Sequence, residues 1–264
     1  MNDTPILSVR EISAGYGKKT VINGVSFSAD EHSVVGLLGA NGCGKTTLLK
    51  AVCGIIPYSG TIEICGQKTN KLNARQLARL CSYIPQRSGI SIDISALDVV
   101  LMGFNPELKI LESPNSAMRD RAMEMLSLVG LDSRADENYS QFSEGQKQLC
   151  ILARSMVREC RLMLMDEPES ALDFGGRYLM LDAVKNITDK RSCSALVTLH
   201  DPQLALNICT KILLMKNGSI VSEIAPCKNS ISEIEKQLSE IYGPLSVHKC
   251  TGRNGKSQFV LVKE

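Results

Sequence analysis

A glycine-rich segment near the start of the chain could hold the phosphate groups of a nucleotide. It follows the apolar run VVGLL and leads into TTLLKAV, so a strand is expected before it and a helix after it. Its glycines would let backbone N–H groups turn towards phosphate oxygens, and the helix N-terminus would add positive potential. Lys45 could then reach the β and γ phosphates, and the Thr46 hydroxyl could bind Mg²⁺. The predicted phosphate-binding loop (P-loop) and the start of its helix comprise Gly39, Ala40, Asn41, Gly42, Cys43, Gly44, Lys45, Thr46 and Thr47.

Two adjacent carboxylates end a second apolar run, LMLM. Asp166 could hold Mg²⁺, usually through water, and Glu167 could orient and deprotonate the water that attacks the γ-phosphate. An isolated Asp-Glu pair would more often be a solvated acidic turn after a buried strand. Because a P-loop precedes it in this chain, the pair indicates hydrolysis of ATP and not binding alone.

Short runs of β-forming residues alternate with turns and helices, which predicts an α/β core with a parallel sheet and an antiparallel accessory sheet. From Ser95 to Arg158 the pattern becomes helical, and apolar residues recur on one helix face at Met118, Ala122, Met125, Leu126 and Val129. This predicts an inserted helical subdomain. The predicted strands are Leu7–Ile12, Val21–Phe27, Val34–Leu38, Thr61–Ile64, Ser82–Ile84, Leu162–Met165, Ser194–Thr198 and Lys211–Met215.

A small appendage is predicted beyond Pro226. Ser230 and Glu233 could form a capping box at the start of a helix, and Gly255 signals a hairpin turn between two further strands. We therefore expect one domain over residues 1–264. It would consist of a nucleotide-binding core (1–90 and 160–225), a helical subdomain (91–159) and a C-terminal appendage (226–264).

The bulk composition excludes several classes of protein. The 264 residues, 44% of them hydrophobic, suit one globular unit with a substantial core. The 30 basic and 28 acidic residues form no long block, so charge indicates no nucleic-acid partner. The 10 cysteines contain no CxxC pair, which fits a reducing cytoplasm. No run approaches the roughly 18 apolar residues of a membrane span, so we expect a soluble chain that would serve a membrane only through partners.

Cys43 lies inside the P-loop at a predicted helix N-terminus, where the pKa of a thiol is typically lowered. We expect it to be the most reactive thiol of the chain, and its alkylation to block ATP binding. The alternative is that Cys43 is only a small residue at a variable loop position.

Taken in order, these segments resemble the nucleotide-binding subunit of the ABC superfamily across nearly the whole chain. The resemblance implies the ABC ATPase fold, with a RecA-like P-loop NTPase core, and ATP and Mg²⁺ as cofactors. Tyr16 matches the aromatic residue that stacks on adenine, Gln86 the glutamine that touches Mg²⁺ and the attacking water, and His200 the switch histidine that contacts the γ-phosphate. Without that context they would be a turn residue, a surface glutamine and a structural histidine.

Ser143, Gly145 and Gln146 match the ABC family motif, whose serine and glycine contact the γ-phosphate bound by the other subunit. Asp173 resembles the D-loop aspartate at the dimer seam. The resemblance therefore implies a homodimer with two ATP molecules between its subunits. Ser143 would also serve as a helix N-cap. The resemblance also implies Lys45, Gln86, Glu167 and His200 as catalytic residues, and Thr46, Gln86 and Asp166 as metal ligands.

The chain departs from the family pattern at three positions in these motifs. Glu144 stands where the family motif usually has glycine, Phe142 replaces its leading leucine, and Glu169 replaces a more usual threonine after the Asp-Glu pair. Since Ser143 and Gly145 remain, we expect function to be kept.

Direction and cargo are predicted from weaker similarities. The segments 98–103, 199–202 and 241–243 resemble the branch that imports ferric siderophores, haem and cobalamin. We expect a motor at the cytoplasmic face of the membrane, bound to polytopic permease subunits and indirectly to a substrate-binding protein. A molybdate or tungstate importer and an exporter motor stay open as alternatives. A soluble ABC ATPase of DNA repair is disfavoured, because the segment between Lys45 and Gln141 is too short for its coiled coil.

Overall fold

The computed structural model describes residues 5–86, 93–109, 111–253, 255 and 257–264. Every strand predicted from the sequence is present, most of them longer than predicted. The strands are β1 (Leu7–Tyr16), β2 (Lys19–Ala29), β3 (Val34–Leu38), β4 (Tyr58–Ile64), β5 (Gln67–Lys68), β6 (Cys81–Ile84), β7 (Leu162–Asp166), β8 (Ser194–Thr198), β9 (Lys211–Lys216), β10 (Ser219–Ile224), β11 (Leu245–Thr251) and β12 (Ser257–Lys263). The α-helices are α1 (Lys45–Val52), α2 (Ala74–Leu80), α3 (Ala96–Leu101), α4 (Ser116–Leu128), α5 (Glu144–Met156), α6 (Phe174–Lys190), α7 (Pro202–Ile208) and α8 (Ile231–Tyr242).

The central sheet has the strand order β10-β9-β3-β8-β7-β6. Its strands are parallel except β10, which is antiparallel to β9. Every residue of β3 and β7 is buried, with Val35 and Leu37 in one hydrophobic core and Val34 and Leu38 in the other. Burial on both faces explains why these strands read as continuous apolar runs. The P-loop after β3, the carboxylates after β7 and His200 after β8 therefore emerge at the same edge of the sheet.

The accessory sheet, in the order β2-β1-β4-β5, is antiparallel, as predicted. Ile12, Ile22 and Ile62 on its inner face share a hydrophobic core with Leu48 of α1 and with the central sheet. Helix α1 contacts strands of both sheets. The helix that follows the P-loop is thus held on both sides.

The predicted helical subdomain contains α3, α4 and α5. Ala122, Met125, Leu126 and Val129 are buried and Met118 packs against the same core, which confirms the helix face predicted from their spacing. Each of the three helices begins after a serine or asparagine whose side chain accepts a backbone N–H bond. The predicted boundary at residue 91 lies outside the described residues. None of the helices in the described ranges is long and apolar enough to cross a membrane.

The C-terminal appendage consists of α8 and the hairpin β11-β12. The capping box of Ser230 and Glu233 is confirmed. Asn207 at the end of α7 binds the hairpin like a neighbouring strand: its Nδ2 donates to Phe259 O at 2.9 Å, and its Oδ1 accepts from Phe259 N at 2.8 Å. Of the predicted hairpin turn, residues 254 and 256 lie outside the described residues.

Four of these strands and helices were not predicted: β5, α2, α7 and β10. Strands β9 and β10 are joined by Asn217 and Gly218, both of which have positive φ angles, 50° and 82°. An Asn-Gly pair is the commonest signal for a tight hairpin, so β10 could have been recognised from the sequence.

Candidate active site

A cavity of about 560 Å³ lies at the edge of the central sheet where β3, β7 and β8 end. Its volume is in the range of small-molecule sites. The wall combines the aromatic residue at the end of β1, the P-loop, the glutamine after β6 and the polar residues after β7 and β8. It is lined by Tyr16, Val21, Asn41, Gly42, Gly44, Lys45, Thr46, Thr47, Gln86, Glu167, Ser170 and His200. The structure thus brings together most of the residues predicted to bind and hydrolyse ATP.

The P-loop wraps around a buried lysine. Lys45 is 5% exposed, and its Nζ donates to Gly39 O at 2.8 Å. Gly44 has a φ of 112°, which other residues adopt only with strain, and a Cβ there would lie 2.7 Å from Ile22 Cγ2. The loop therefore packs tightly against β2 and presents a fixed cation to the cavity.

The β9–β10 turn braces the P-loop from behind. Gly218 N donates to Cys43 O at 3.0 Å, and Gly218 O accepts from Asn23 N at 2.9 Å. A Cβ at Gly218 would lie 2.2 Å from Val21 O, so only glycine permits this approach. Segments far apart in the sequence thereby fix the shape of the loop.

Asp166 accepts hydrogen bonds from three hydroxyl groups. Its Oδ1 accepts from Thr46 Oγ1 at 3.0 Å and from Thr198 Oγ1 at 3.0 Å, and its Oδ2 accepts from Tyr83 OH at 3.3 Å. Burial, and then the charge of Asp166, raises the pKa of Tyr83, so this phenol remains a donor. Mg²⁺ in phosphate-transfer sites binds one or two carboxylates, hydroxyls and phosphate oxygens. The touching oxygens of Thr46 and Asp166 fit that ion.

Glu167 forms the centre of a second cluster. Its Oε1 lies 2.6 Å from His200 Nε2, and its Oε2 accepts from Gln86 Nε2 at 2.7 Å. The backbone of Glu167 has a φ of 48°, and its N–H donates to Thr198 Oγ1 at 2.7 Å. A positive φ at a non-glycine residue is uncommon and often marks a functional site. Because both carboxylate oxygens are held, the side chain has a defined orientation at the cavity wall.

Glu169 lies beside this cluster and is only 3% exposed. Its Oε1 accepts from His200 N at 3.1 Å, whereas its Oε2 is buried without a hydrogen-bond partner among the described residues. Burial raises the pKa of this carboxyl above its ordinary value of 4.5, and the neighbouring Glu167 charge adds to the effect. The folded protein therefore favours the protonated form of Glu169 more than the unfolded chain does.

Replacing Glu169 with glutamine is expected to stabilise the protein, increasingly so as the pH rises. Above about pH 4.5 the unfolded chain ionises at Glu169, while the folded chain keeps the proton up to its raised pKa. The wild type therefore loses stability across that window, and the variant, which has no such proton, does not. By calorimetry we expect a melting temperature on the order of 3 °C above wild type at about pH 8, and a smaller difference at about pH 5.5. The exposed Glu124→Gln serves as the control. If Glu169→Gln raised the melting temperature equally at both pH values, as Glu124→Gln also did, the raised pKa of Glu169 would be contradicted.

The family-motif residues and Asp173 do not line this cavity, whereas Ser170, at the start of the D-loop segment 170–173, does. Ser143 Oγ accepts from Gln146 N at 3.3 Å, and Gln146 Oε1 accepts from Ser143 N at 3.0 Å, which confirms the predicted N-cap. A Cβ at Gly145 would lie 3.0 Å from Ala171 O, so the motif packs on the D-loop segment. Asp173 Oδ1 caps α6 by accepting a backbone N–H bond at 2.7 Å.

Glu144, which stands where the family motif usually has glycine, pairs with a lysine one turn further along α5. Lys147 Nζ lies 2.9 Å from Glu144 Oε1, and the glutamate side chain is largely exposed. Such an exposed pair adds little stability, but it keeps a positive charge beside the extra carboxylate.

Tyr16 and Cys43 differ in how far they are accessible. The half-exposed Tyr16 ends β1 at the cavity rim, as expected for a residue that stacks on a base. Ala40 and Cys43 line a neighbouring cavity of about 420 Å³ behind the P-loop. Cys43 is buried, whereas Cys227 and Cys250 are exposed. Access thus favours the last two, and the expectation that Cys43 reacts first is not supported.

Three polar residues of the site were not singled out from the sequence: Thr198, Tyr83 and, as a site residue, Glu169. Thr198 ends β8 and is the register partner of Asp166 on β7, so its position beside a predicted strand end was an available signal. Tyr83 lies on β6 opposite Leu164, and its side chain direction has no signature in the sequence.

Comparison with known proteins identifies the family and several relatives. The family model described as "ABC transporter" matches residues 22–170. A protein of Helicobacter pylori named "Probable iron chelatin transport ATP-binding protein" is 34% identical over 239 residues, which cover 90% of this chain and 92% of the relative. The hemin import ATP-binding protein HmuV of Vibrio cholerae is 29% identical over 239 residues, which cover 89% and 90%.

A solved structure is similar to nearly the whole chain. It is described as a metal-chelate type ABC transporter in an inward-facing conformation. The match has a TM-score of 0.81 at 25% identity and covers 99% of both chains. The fold match therefore includes the C-terminal appendage.

Proposed function

Because the chain belongs to the ABC transporter family, we propose that it is the ATP-hydrolysing motor subunit of an importer for iron chelates, haem or cobalamin. The ATPase assignment is carried by the cluster of Glu167, Gln86 and His200 beside the P-loop. The cargo class is supported by the relatives named for iron chelatin transport and hemin import, and by the metal-chelate type of the solved transporter.

ATP would bind with its adenine against Tyr16 and its phosphates in the P-loop. The buried ammonium of Lys45 would exchange its bond to the Gly39 carbonyl for the β and γ phosphate oxygens. Backbone N–H groups of the loop and the N-terminus of α1 would add positive potential. Thr46, Asp166 and the amide oxygen of Gln86 would hold Mg²⁺, which supplies neutralisation of the phosphate charge.

Glu167 would act as the general base. A water in line with the γ-phosphate would give its proton to the Glu167 carboxylate as its oxygen bonds to phosphorus, and the bond from the γ-phosphorus to ADP would break. His200 and Gln86, each bonded to one oxygen of Glu167, would keep the carboxylate aimed at that water. The products would be ADP and phosphate.

The separation of the predicted residues into two groups supports a homodimer as the active form. Ser143, Gly145, Gln146 and Asp173 do not line the cavity. The first three lie at the start of α5 and Asp173 caps α6, and both Ser143 and Asp173 are exposed. A second copy would bring these residues to the γ-phosphate, so that two ATP molecules close the seam and hydrolysis reopens it.

Opening and closing of this dimer would move polytopic permease subunits at the cytoplasmic face of the membrane. A substrate-binding protein would deliver the cargo on the other side of that membrane. The division into core (1–90 and 160–225), helical subdomain (91–159) and appendage (226–264) is part of the same proposal.

Affinity purification of the tagged chain from detergent-solubilised native membranes tests the motor assignment. We expect recovery of a membrane protein with many spans, and none from an untagged control strain. Recovery of ribosomes or DNA-repair factors in place of a permease would overturn the proposal.

Growth of a deletion strain tests the cargo class. With a ferric siderophore or haem as the sole iron source, we expect poor growth that is restored by the wild-type gene and by Glu124→Gln but not by Glu167→Gln. Normal growth on every iron chelate, together with a loss of molybdoenzyme activity, would assign the importer to oxyanions instead.

A further inference from the structure

Glu169 is a buried acidic side chain beside the reaction site to which the mechanism above gives no role. It follows Glu167 by two residues, and its one hydrogen bond is accepted from the backbone N–H of His200 at 3.1 Å. Its other oxygen has no partner in the described part of the chain. Burying an unpartnered polar group costs stability, so a glutamate at this position calls for a compensating role.

The contacts of Glu169 join the two loops that carry the reacting side chains. Glu167, in the loop after β7, is bound to the last residue of β8 and to the loop that follows it. Its N–H donates to Thr198 Oγ1 at 2.7 Å, and its Oε1 lies 2.6 Å from His200 Nε2. The bond to Glu169 differs from these two because its donor is the backbone N–H of His200. The His200 imidazole is attached to this backbone. The distance from its Nε2 to the Glu167 carboxylate therefore depends on where the His200 backbone lies.

We propose that Glu169 is a positioning residue for ATP hydrolysis, which fixes the switch loop at His200 against the loop of the base Glu167. This inference rests on the proposed ATPase function. The hydrogen bond gives the His200 main chain one defined place, from which Nε2 reaches the Glu167 carboxylate.

The direction of the pKa shift at Glu169 suits this role. The titratable groups that influence it are Glu167 on its own loop, His200 on the neighbouring loop and Cys209 at the end of α7. Burial raises the pKa of the Glu169 carboxyl, which disfavours a second negative charge beside Glu167. A carbonyl oxygen of the same reach, as in glutamine, should therefore replace it.

Steady-state ATP hydrolysis by three variants tests the proposal. Glu169→Leu keeps the approximate size and removes the acceptor; Glu169→Gln keeps the acceptor; the exposed Glu124→Leu controls for loss of a glutamate elsewhere. We expect Glu169→Leu to lower kcat by about tenfold to about hundredfold with the KM for ATP within about twofold, because a small misplacement of reacting groups has effects of this size. Glu169→Gln and Glu124→Leu should stay within about twofold of wild type.

The His200 amide provides a direct readout that does not depend on turnover. The chain has 3 histidines, so histidine labelled with ¹⁵N gives few amide signals, and His200→Gln identifies the relevant one. We expect the His200 amide signal to move upfield in Glu169→Leu, because the hydrogen bond is lost, and to stay close to the wild-type position in Glu169→Gln. If Glu169→Leu does not fold, Glu169→Met, which also removes the carboxylate acceptor at similar size, takes its place in both measurements.

The outcomes separate this inference from the proposed function. No ATPase activity in the wild type would overturn the proposed function. An active wild type with unchanged kcat in Glu169→Leu, or with equal losses of kcat in Glu169→Leu and Glu169→Gln, would overturn the positioning role alone. So would a His200 amide signal that Glu169→Leu leaves in place.

Discussion

Glu167→Gln is expected to lower kcat for ATP hydrolysis by about 10²-fold to about 10⁴-fold while ATP still binds, the range that general-base catalysis contributes. Glutamine keeps the size of the side chain and can still hold one neighbour, but it cannot take a proton from water. ATP should therefore accumulate between two subunits. Size-exclusion chromatography with ATP should give a stable dimer of the variant, and the wild type should return to its starting state as ATP is consumed.

The matched control for this experiment is Glu124→Gln on the exposed face of α4, which has the same change in charge. It should hydrolyse ATP as the wild type does. Rapid phosphate release by Glu167→Gln would show that another group accepts the proton, and the roles assigned to Gln86 and His200 around Glu167 would then fall as well.

Lys45→Ala is expected to abolish tight ATP binding. The ammonium is almost fully buried in the P-loop, and truncating one partner of a buried charged contact costs on the order of 2–5 kcal/mol. That loss corresponds to at least about a thirtyfold rise in the Kd for ATP. Isothermal titration calorimetry measures this directly, with Lys50→Ala on the same helix α1 as the control.

The folding of Lys45→Ala and its affinity for ATP are measured separately. Folding of the Lys45→Ala variant should be nearly intact, since the side chain makes one short hydrogen bond, to a loop carbonyl. A folded Lys45→Ala that binds ATP with wild-type affinity would mean that the phosphates do not lie in the P-loop.

Strands β3, β7 and β8 of the central sheet could be predicted from the sequence because they are buried on both faces and therefore appear as unbroken apolar runs. Strand β3 was predicted with its observed limits, Val34–Leu38. The short helix α2 and strand β5 could not be predicted in the same way, since α2 has only Leu77 buried and β5 is exposed, so neither shows a marked hydrophobic period. Strand β10 was missed although its Asn-Gly turn was visible.

In the candidate active site, the residues that belong to a sequence motif were predicted, whereas residues that form hydrogen bonds with them were not. Lys45 and Glu167 were found because their residue types follow a strand in a recognisable order. Thr198 bonds to Asp166, which is 32 residues away in the sequence, and Glu169 bonds to the backbone of His200 in another loop. Such contacts can be predicted only once the strand order is known. The separation of Ser143 from the cavity follows from the fold in the same way.

The glycine at the β9–β10 turn has a thermodynamic consequence for ligand affinity. Since Gly218 holds the Cys43 carbonyl and β2 at once, the P-loop is ordered when the chain folds and not when ATP arrives. The entropy lost in ordering the loop is then part of the folding equilibrium, and it no longer opposes nucleotide binding. Affinity for ATP then depends in part on Gly218, a residue that does not line the candidate ATP cavity.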